Sequence, residues 1–263
     1  MLDTSNIPVE AEATLLIYSK HPRAVAREVA DLAAVAAFRP DGGIRGVLND
    51  TYLDTPGSDL RQRHWILRLR RISSTWWITL KGPSRETPHG VMERGELEMP
   101  WSLDAFVHLM NTFDIRFTGR QAAHIASTDP LEIMRELGMA VVQHRVTERL
   151  VKNVFLTDKP VVVAEIAVDR VRYDLAGGEI LHHEIEIESK HADYGSAVGE
   201  IAGDLLERFA PILRVWKIGK LATGLMIDTL IRKNALDGLI NEDGSLQPEA
   251  YDRLANFRRE VSF

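Results

Sequence analysis

The chain has 263 residues, of which 45% are hydrophobic and 27% are charged, so it carries enough apolar sequence to bury a substantial core. Its formal net charge of −6 and its pI near 5.9 argue against a protein whose main role is to coat nucleic acid, because that role usually needs a basic excess. The absence of cysteine excludes disulfides, thiolate nucleophiles and cysteine metal sites, so a metal site must use carboxylates or histidines.

The sequence also carries no sign of export or of membrane insertion. The N-terminal residues MLDTSNIPVE contain neither a basic nor an apolar stretch of the kind that directs export, and no apolar run is long enough to span a bilayer. We therefore expect a soluble, cytoplasmic protein that binds neither membranes nor nucleic acid.

The N-terminal part of the chain predicts two strands with a helix between them. Val9–Tyr18 reads as a strand on which Glu10 and Glu12 share a face, because side chains two apart in a strand point the same way. Arg23–Phe38 spaces its apolar residues as an amphipathic helix does. A Pro-Asp-Gly-Gly turn then leads to a second strand, Val47–Asp54.

The following segments place basic residues at the same spacing of two. Leu60–Arg71 predicts a strand with Arg68 and Arg70 on one face. Trp76–Lys81 follows at hairpin distance and ends in Lys81.

Acidic residues recur in the next predicted strand. Val91–Met99 carries Glu96 and Glu98, again two residues apart. Three helical patterns come after it: Leu103–Asn111, Gly119–Ala126 and Pro130–Leu137.

A hairpin and one further strand complete the strand-rich part of the chain. Ala140–Phe155 and Val161–Val171 read as its two strands, and Glu165 and Asp169 share a face of the second. The polar side of the first strand consists of Arg145, Thr147 and Arg149. The strand Leu181–Lys190 then alternates three glutamates with two isoleucines: Glu184, Glu186 and Glu188 on one face, Ile185 and Ile187 on the other.

The remainder of the chain is predicted to be helical. Tyr194–Phe209 is followed by a short basic element, Lys217–Lys220. The helical segments Leu225–Leu239 and Pro248–Val261 then flank a turn at residues 241–244. No catalytic residue is assigned from about Met226 onward, where the helices are expected to pack on the preceding domain or to form a homodimer interface.

Two interpretations of the charged strand faces remain open from the pattern alone. The charged faces could point to water, with all apolar faces forming one core. Alternatively, the strands could form a barrel that helices cover on its apolar outside and that charge lines inside. Such an interior needs both signs of charge, since buried unpaired like charges cost several kcal/mol each.

Both signs are present on the predicted strands. Carboxylate oxygens suit hard divalent cations, and arginine and lysine suit phosphate oxygens, so the second interpretation predicts a polyphosphate bound with Mg²⁺ or Mn²⁺. The carboxylates are Glu10, Glu12, Glu184, Glu186 and Glu188, and the bases are Arg68, Arg70, Lys81 and Arg145.

The sequence resembles the CYTH, or triphosphate tunnel metalloenzyme, family over roughly residues 9–224. Each matching segment is short, but the segments follow one another in the family's order. They are Glu10-Ala11-Glu12, Tyr52-Leu53-Asp54-Thr55-Pro56, Leu67-Arg68-Leu69-Arg70, Thr79-Leu80-Lys81, Arg94-Gly95-Glu96-Leu97-Glu98, Arg145, Glu165 to Asp169, and Glu184-Ile185-Glu186-Ile187-Glu188.

The resemblance implies an α+β fold, a closed eight-stranded antiparallel β-barrel or tunnel with surrounding helices. It implies a divalent-metal-dependent triphosphatase that hydrolyses inorganic triphosphate or a small organic triphosphate inside this tunnel. By position, it implies metal ligands at Glu10, Glu12, Glu184, Glu186 and Glu188, and phosphate-binding residues at Arg68, Arg70, Lys81, Arg145 and Lys220. Glu96, Glu98 and Asp169 match acidic catalytic positions that orient water or a second metal.

Two departures from the family pattern keep other functions open. Thr14 stands where the family has a lysine, and Thr223 stands where a base is common, so each removes a cation from the phosphate path. The alternatives are cyclisation of ATP, as in class IV adenylate cyclases, and non-catalytic binding of polyphosphate or a nucleotide. We expect a tunnel domain over residues 1–225 and a C-terminal helical extension over residues 226–263.

Overall fold

A computed structural model describes residues 8–87, 91–112, 129–175, 177–191 and 194–260. Within these residues, nine strands and seven helices follow one another along the chain. The strands are β1 Val9–Ile17, β2 Phe38–Asp54, β3 Ile66–Ile72, β4 Thr75–Glu86, β5 Met92–Pro100, β6 Ala140–Leu156, β7 Val162–Leu175, β8 Gly178–Ser189 and β9 Leu213–Val215. The helices are α1 Pro22–Ala30, α2 Asp59–Gln62, α3 Leu103–Thr112, α4 Pro130–Glu136, α5 Ser196–Arg208, α6 Lys220–Arg232 and α7 Pro248–Glu260.

The strands hydrogen-bond in the order β5-β4-β3-β2-β6-β7-β8-β1-β9, and β5 also pairs with β1. The pairing of β1 with β5 closes eight strands into a ring, and β9 is added outside it on β1. The predicted α+β fold with a closed eight-stranded antiparallel β-barrel is therefore confirmed. None of the helices in the described part of the chain is both long and apolar enough to cross a bilayer.

The chain divides into two compact units, each with its own core. The first unit comprises, within the described residues, 8–10, 48–85, 94–112 and 129–144. Its core joins the apolar faces of β3 and β4 to helices α3 and α4, through residues such as Leu67, Leu80, Phe106 and Met134. Because residues alternate in a strand, this packing turns the other face of β3 and β4, which carries Arg68, away from the helices.

The second unit comprises residues 11–47 and the described parts of 86–93 and of 145–263. Ile185 and Ile187 of β8 are fully buried and pack with α1 and α5, through Val25 and Ile201 among others. The alternating glutamates of β8 therefore point away from these helices, in the orientation that the barrel interpretation requires.

Helices α6 and α7 pack on a different part of the second unit. Their apolar residues form a cluster with Tyr173 of β7 and Ile180 of β8. Tyr173 and Ile180 face each other in the strand pairing, four residues along from the pair Asp169 and Glu184. Since four residues are two full strand repeats, this cluster lies on the same face of β7 and β8 as those two carboxylates.

Several predicted element boundaries are wrong: β2 begins at Phe38 and not at Val47, so the predicted turn lies within the strand, and β4 extends past Lys81 to Glu86. The local backbone explains three others. The helix predicted to reach Phe38 ends at Ala30, because Val35 and Phe38 exchange backbone hydrogen bonds around a tight turn in which Ala36 has a φ of 46°. The strand predicted from Leu60 begins only at Ile66. Residues before it form helix α2 instead, because the Asp54 carboxylate accepts hydrogen bonds from the backbone N–H groups of residues 60 and 61, at 2.9 and 3.1 Å, and so caps this helix.

The helix predicted over Leu225–Leu239 is displaced toward the N-terminus. It begins at Lys220, after Gly219 in an extended conformation, and ends at Arg232, shortly before Asn234 with a φ of 54°. A residue with positive φ cannot continue a right-handed helix. The helix predicted at Gly119–Ala126 lies outside the described residues, and the domain division at residue 225 stays a prediction.

Candidate functional site

The basic residues of β3 lie in cross-strand rows that run from β2 to β4. Arg68 is paired with Tyr52 on one side and Thr79 on the other. Arg70, in the next row of the same face, is paired with Asp50 and Trp77. The strand pairing of the first unit therefore gathers basic, acidic and aromatic side chains on one face.

Arg68 is buried and held by several acceptors of the first unit. Its guanidinium donates to the Thr79 hydroxyl at 3.1 and 3.3 Å and to the Glu98 carboxylate at 2.5 Å, and it lies 3.6 Å from Glu96. Burial disfavours its charge, but Asp50 and the other acidic neighbours outweigh burial and raise the pKa of Arg68 above its usual range. Arg68 is therefore a fixed cation in a polar network.

Arg70 is fixed by a carboxylate that the sequence did not single out. Asp50, whose side chain is fully buried, accepts from Arg70 at 2.7 and 3.0 Å in a two-pronged contact. A bidentate contact of this kind fixes the orientation of the guanidinium plane. A sequence signal existed, because Asp50 lies two residues before Tyr52 and so shares its face of the predicted second strand.

The two acidic residues of β5 complete this network. Glu96 contacts the Lys81 ammonium and also bonds the Glu10 carboxyl. Burial alone would raise the pKa of Glu96, but the charges of Lys81 and Arg68 outweigh it and lower that pKa to about 2. The pKa of Glu98 is also lowered, because Arg68 and Arg70 outweigh its burial. The structure thus brings together five of the predicted site residues with Glu10: Arg68, Arg70, Lys81, Glu96 and Glu98.

A second cluster lies on β7 and β8 of the second unit. Asp169, Glu184 and Glu186 each offer a carboxylate oxygen, and these oxygens lie within 4.8 Å of one another. The strand pairing explains the convergence, because Asp169 stands directly opposite Glu184, and Arg149 of β6 stands opposite Asp169.

Two cations already lie among these three carboxylates. The Lys220 ammonium contacts Glu184, and it lies 2.5 Å from Glu186 and 3.1 Å from Asp169. Arg149 donates to both oxygens of Asp169, at 2.7 and 2.8 Å, and to Glu186. Burial lowers the pKa of Lys220, but Glu184 and the other carboxylates outweigh it and raise that pKa above its usual range.

The arrangement fits a metal ion by its donors. Carboxylate oxygens are the ligands that hard divalent cations such as Mg²⁺ and Mn²⁺ prefer. The Lys220 ammonium stands in for such a cation, because three carboxylates converge on its single positive charge. Burial would raise the pKa of Glu184, but Lys220 and then His182 outweigh burial and lower it, which keeps this carboxylate ionised.

A further acidic row lies along the same strands of the second unit. Glu188 of β8 stands between Glu12 of β1 and Glu165 of β7 in the strand pairing. Lys190 contacts this row, at 2.7 Å from Glu188 and 3.5 Å from Glu165. The predicted metal residues of this unit are thus divided between this row and the cluster around Glu184 and Glu186.

The remaining predicted residues have separate places. Arg145 is buried on β6 opposite Tyr173, four residues along the same strand face from Arg149. Thr14 stands opposite Glu186. Thr223 is fully buried, and its hydroxyl accepts from the Trp216 indole at 3.1 Å, so this departure from the family pattern serves packing.

Sequence reasoning missed Arg149 as a site residue, although it noted that Arg149 shares a strand face with Arg145. Only the pairing of β6 with β7 reveals that Arg149, and not Arg145, stands beside Asp169. Trp76 packs against the core of the first unit, whereas Trp77 lies on the charged face beside Arg70 and outside the apolar clusters of the described residues.

Residues 28–212 match the family model of the CYTH domain, which covers well over half of the chain. The chain is a member of the CYTH domain family. The CYTH match includes all of the site residues described above except Glu10, Glu12, Thr14 and the residues beyond 212, such as Lys220. No curated protein matches the sequence.

Solved structures with a CYTH-like fold are similar to this chain at low sequence identity. A candidate adenylyl cyclase from Hippeastrum, described as having a dominant triphosphatase activity, is 15% identical and has a TM-score of 0.52, over 82% of this chain and 95% of its own. A candidate adenylate cyclase from Bacillus halodurans is 17% identical over 80% and 94%, with a TM-score of 0.45. A protein from Pyrococcus horikoshii is 18% identical over 85% and 99%, also with a TM-score of 0.45. The first of these likenesses shows a shared fold.

Proposed function

We propose that the protein hydrolyses inorganic triphosphate or a small organic triphosphate with the help of a divalent cation, Mg²⁺ or Mn²⁺. One observation carries the proposal: in each unit, buried bases and carboxylates share one strand face, opposite the apolar face that packs on α3 and α4 in the first unit and on α1 and α5 in the second. Burying so many charges is costly, and a ligand that itself combines phosphate and metal accounts for both signs.

Basic residues of the charged strand faces, and Lys220 of α6, would hold the phosphate oxygens. Arg68, Arg70, Lys81, Arg145 and Lys220 are the residues proposed for this role, together with Arg149. The fixed guanidinium groups of Arg68 and Arg70 suit bidentate contacts to phosphate, because their donors are already oriented by Asp50, Thr79 and Glu98.

The carboxylates would hold the metal. Asp169 and the five glutamates of β1 and β8 are proposed as ligands, namely Glu10, Glu12, Glu184, Glu186 and Glu188. When bound, a divalent cation neutralises phosphate charge and favours phosphoryl transfer to water.

Glu96, Glu98 and Asp169 are proposed to orient the attacking water. The lowered pKa values of Glu96 and Glu98 mean that both are ionised, so each accepts hydrogen bonds and neither donates a proton. A carboxylate whose pKa is about 2, such as Glu96, is also a weak base. Its proposed part is therefore to position a water molecule by accepting a hydrogen bond from it.

Phosphate release from tripolyphosphate, measured with Mg²⁺ and with Mn²⁺, tests the proposal. We expect metal-dependent release by the wild type and a loss of at least tenfold in Glu186→Gln, which keeps the shape of the side chain and removes its charge. Glu200→Gln, on the exposed surface of α5, is the matched control and should retain full activity. If no triphosphate is hydrolysed under any metal condition, the proposed activity is wrong.

A non-catalytic triphosphate-binding function is the second candidate, and Thr14 is the observation that favours it. Thr14 lies opposite Glu186, so a basic residue is missing at this point of β1. This candidate predicts that calorimetry detects tripolyphosphate binding without turnover, and that Thr14→Lys gains activity. ATP cyclisation, the activity for which the Hippeastrum protein was a candidate, is distinguished in the same assays by formation of cyclic AMP.

The remaining aspects of the proposal concern partners and location. We propose that the partner is a small triphosphate compound, and that the protein acts in the cytoplasm without a membrane or a nucleic acid. Homodimer formation through the C-terminal helices stays a prediction, which the mass of the protein in solution would test.

A further inference from the structure

A buried chain of hydrogen bonds links helix α7 to the carboxylate cluster of the second unit. The Tyr251 hydroxyl of α7 lies 3.0 Å from Nδ1 of His182, and Nε2 of His182 lies 2.7 Å from the Glu184 carboxylate. The three residues are at most 3% exposed. Glu184 in turn contacts the Lys220 ammonium.

The chemistry of the partners assigns a direction to these hydrogen bonds. An ionised carboxylate only accepts, so Nε2 of His182 carries the hydrogen that it shares with Glu184. Nδ1 then accepts from the Tyr251 hydroxyl, whose oxygen accepts from the backbone N–H of His183. Both ring nitrogens of His182 and the Tyr251 hydroxyl are thus used, as a buried polar network requires.

Aromatic packing fixes the two rings of this chain. The His182 ring contacts the rings of Tyr173 and Tyr251, with its centroid 6.4 and 5.6 Å from theirs. Trp216 meets Tyr251 edge-on, with centroids 5.9 Å apart and the rings at 82°. The Tyr173 hydroxyl donates to the backbone oxygen of Lys220 at 2.8 Å, so the same packing also holds the start of helix α6.

We propose that Tyr251 and His182 are positioning residues, which orient the Glu184 carboxylate so that it surrounds a cation together with Asp169 and Glu186. Neither residue touches the cation, and the inference rests on the proposed metal-binding role of this cluster. Helix α7, to which the sequence assigned no catalytic residue, thereby becomes part of the support of the site. Substitution of a residue that hydrogen-bonds to a metal ligand commonly lowers metal affinity or activity by about 10–100-fold.

Tyr251→Phe is the decisive variant, because it removes one hydroxyl and keeps the ring that packs against Trp216. We expect Mn²⁺ affinity, measured by calorimetry, to fall roughly tenfold. We expect kcat for tripolyphosphate to fall by a similar factor with little change in KM, because the phosphate-binding bases are unchanged. Tyr18→Phe is the matched control, since the Tyr18 hydroxyl donates to Asp252 of the same helix at 2.6 Å and leads to no carboxylate of the cluster.

Two variants of His182 provide an independent test of the positioning role. His182→Gln keeps an N–H donor for Glu184, whereas His182→Ala removes it, so the first should bind Mn²⁺ more tightly than the second. A residue with a purely structural role would lower the melting temperature in both variants without this order of affinity. If Tyr251→Phe does not fold, the comparison of the two histidine variants carries the test.

The outcomes separate this inference from the proposed function. Mn²⁺ affinity and kcat that are equal in the wild type and Tyr251→Phe would overturn the positioning role, whether or not the protein hydrolyses triphosphate. A wild type that hydrolyses no triphosphate, with Mn²⁺ affinity that still falls in Tyr251→Phe, would overturn the proposed function and keep the positioning role.

Discussion

Glu98 illustrates how a single residue of the site couples charge to stability. It accepts from Arg68 at 2.5 Å and from the Thr79 hydroxyl at 2.7 Å. Burial would raise its pKa, but Arg68 and Arg70 outweigh burial and lower the pKa below the ordinary value of 4.5. The unfolded chain therefore binds a proton here at higher pH than the folded chain does. The stability from this carboxylate is fully present above about pH 4.5 and is lost as pH falls toward the lowered pKa.

The substitution Glu98→Gln tests this coupling. At pH 7 it should reduce the free energy of unfolding by about 1 kcal/mol, because the charge-assisted hydrogen bond to Arg68 is lost but water partly screens the Glu98 carboxylate, whose side chain is 32% exposed. Below about pH 4.5 the difference from the wild type should narrow, since the wild-type carboxyl is then protonated in the unfolded chain. Urea unfolding at pH 7, 5 and 3.5 measures both effects. Glu136→Gln, at an exposed position of α4, should follow the wild type, and a constant difference for Glu98→Gln across this range would contradict the linkage.

At this scale, the sequence predicted those site residues whose pattern is local. The glutamates of β8 and the arginines of β3 are two apart, so their shared faces follow from strand geometry alone. The partners that hold them are distant in sequence, and no local pattern indicates them. Asp50 is 20 residues from Arg70, and Tyr251 is 69 residues from His182. Such pairs exist only after the strands have paired and helix α7 has packed.

At the scale of the element, β8 combines two functions on opposite faces. Ile185 and Ile187 are fully buried against α1 and α5, and Glu184, Glu186 and Glu188 lie on the opposite, polar face. The alternation predicted these faces correctly, because a strand has one period and the isoleucines had to be covered. The ends of α1 and α6 could not be predicted in the same way. Each depends on a turn with positive φ, at Ala36 and Asn234, that the apolar spacing does not reveal.

Because the two faces of β8 differ, we expect a substitution on the apolar face to change stability and a substitution on the charged face to change metal affinity. Ile187→Ala should reduce the free energy of unfolding by about 2–5 kcal/mol, because it leaves a cavity beneath the helices. It should leave Mn²⁺ affinity of the folded protein unchanged. Urea unfolding and calorimetry measure the two properties. Ile212→Ala is the control, because Ile212 is 37% exposed and its loss should cost no more than about 0.5 kcal/mol. Weaker Mn²⁺ binding in Ile187→Ala would show that the two faces are not independent.

For the whole molecule, the proposed function predicts that ligand binding stabilises the fold. A ligand that binds only the folded state at 100 times its Kd adds about 2.7 kcal/mol to the free energy of unfolding. For a chain of this length, that corresponds to a rise in melting temperature of about 5–10 °C. Thermal scans with Mg²⁺ and tripolyphosphate measure the shift, and a chelator added in excess should reverse it. Sulfate at equal ionic strength is the control, and an equal shift with sulfate would point to a general salt effect.

Because the clustered charged residues of each unit are already ion-paired, a charged ligand can bind only by replacing one member of a pair. Arg68, Arg70 and Lys81 already have carboxylate counterions, and the carboxylates of the second unit already surround Lys220. A phosphate that binds alone must displace a carboxylate from its base and leave that negative charge without a partner. A metal ion that binds alone must displace an ammonium group from its carboxylates and leave that positive charge without a partner. The metal–triphosphate complex proposed above would replace both members of a pair such as Lys220 and Glu184 in one exchange. Each ligand should therefore enhance the binding of the other, because the metal binds the carboxylates that the phosphate displaces and the phosphate binds the bases that the metal displaces.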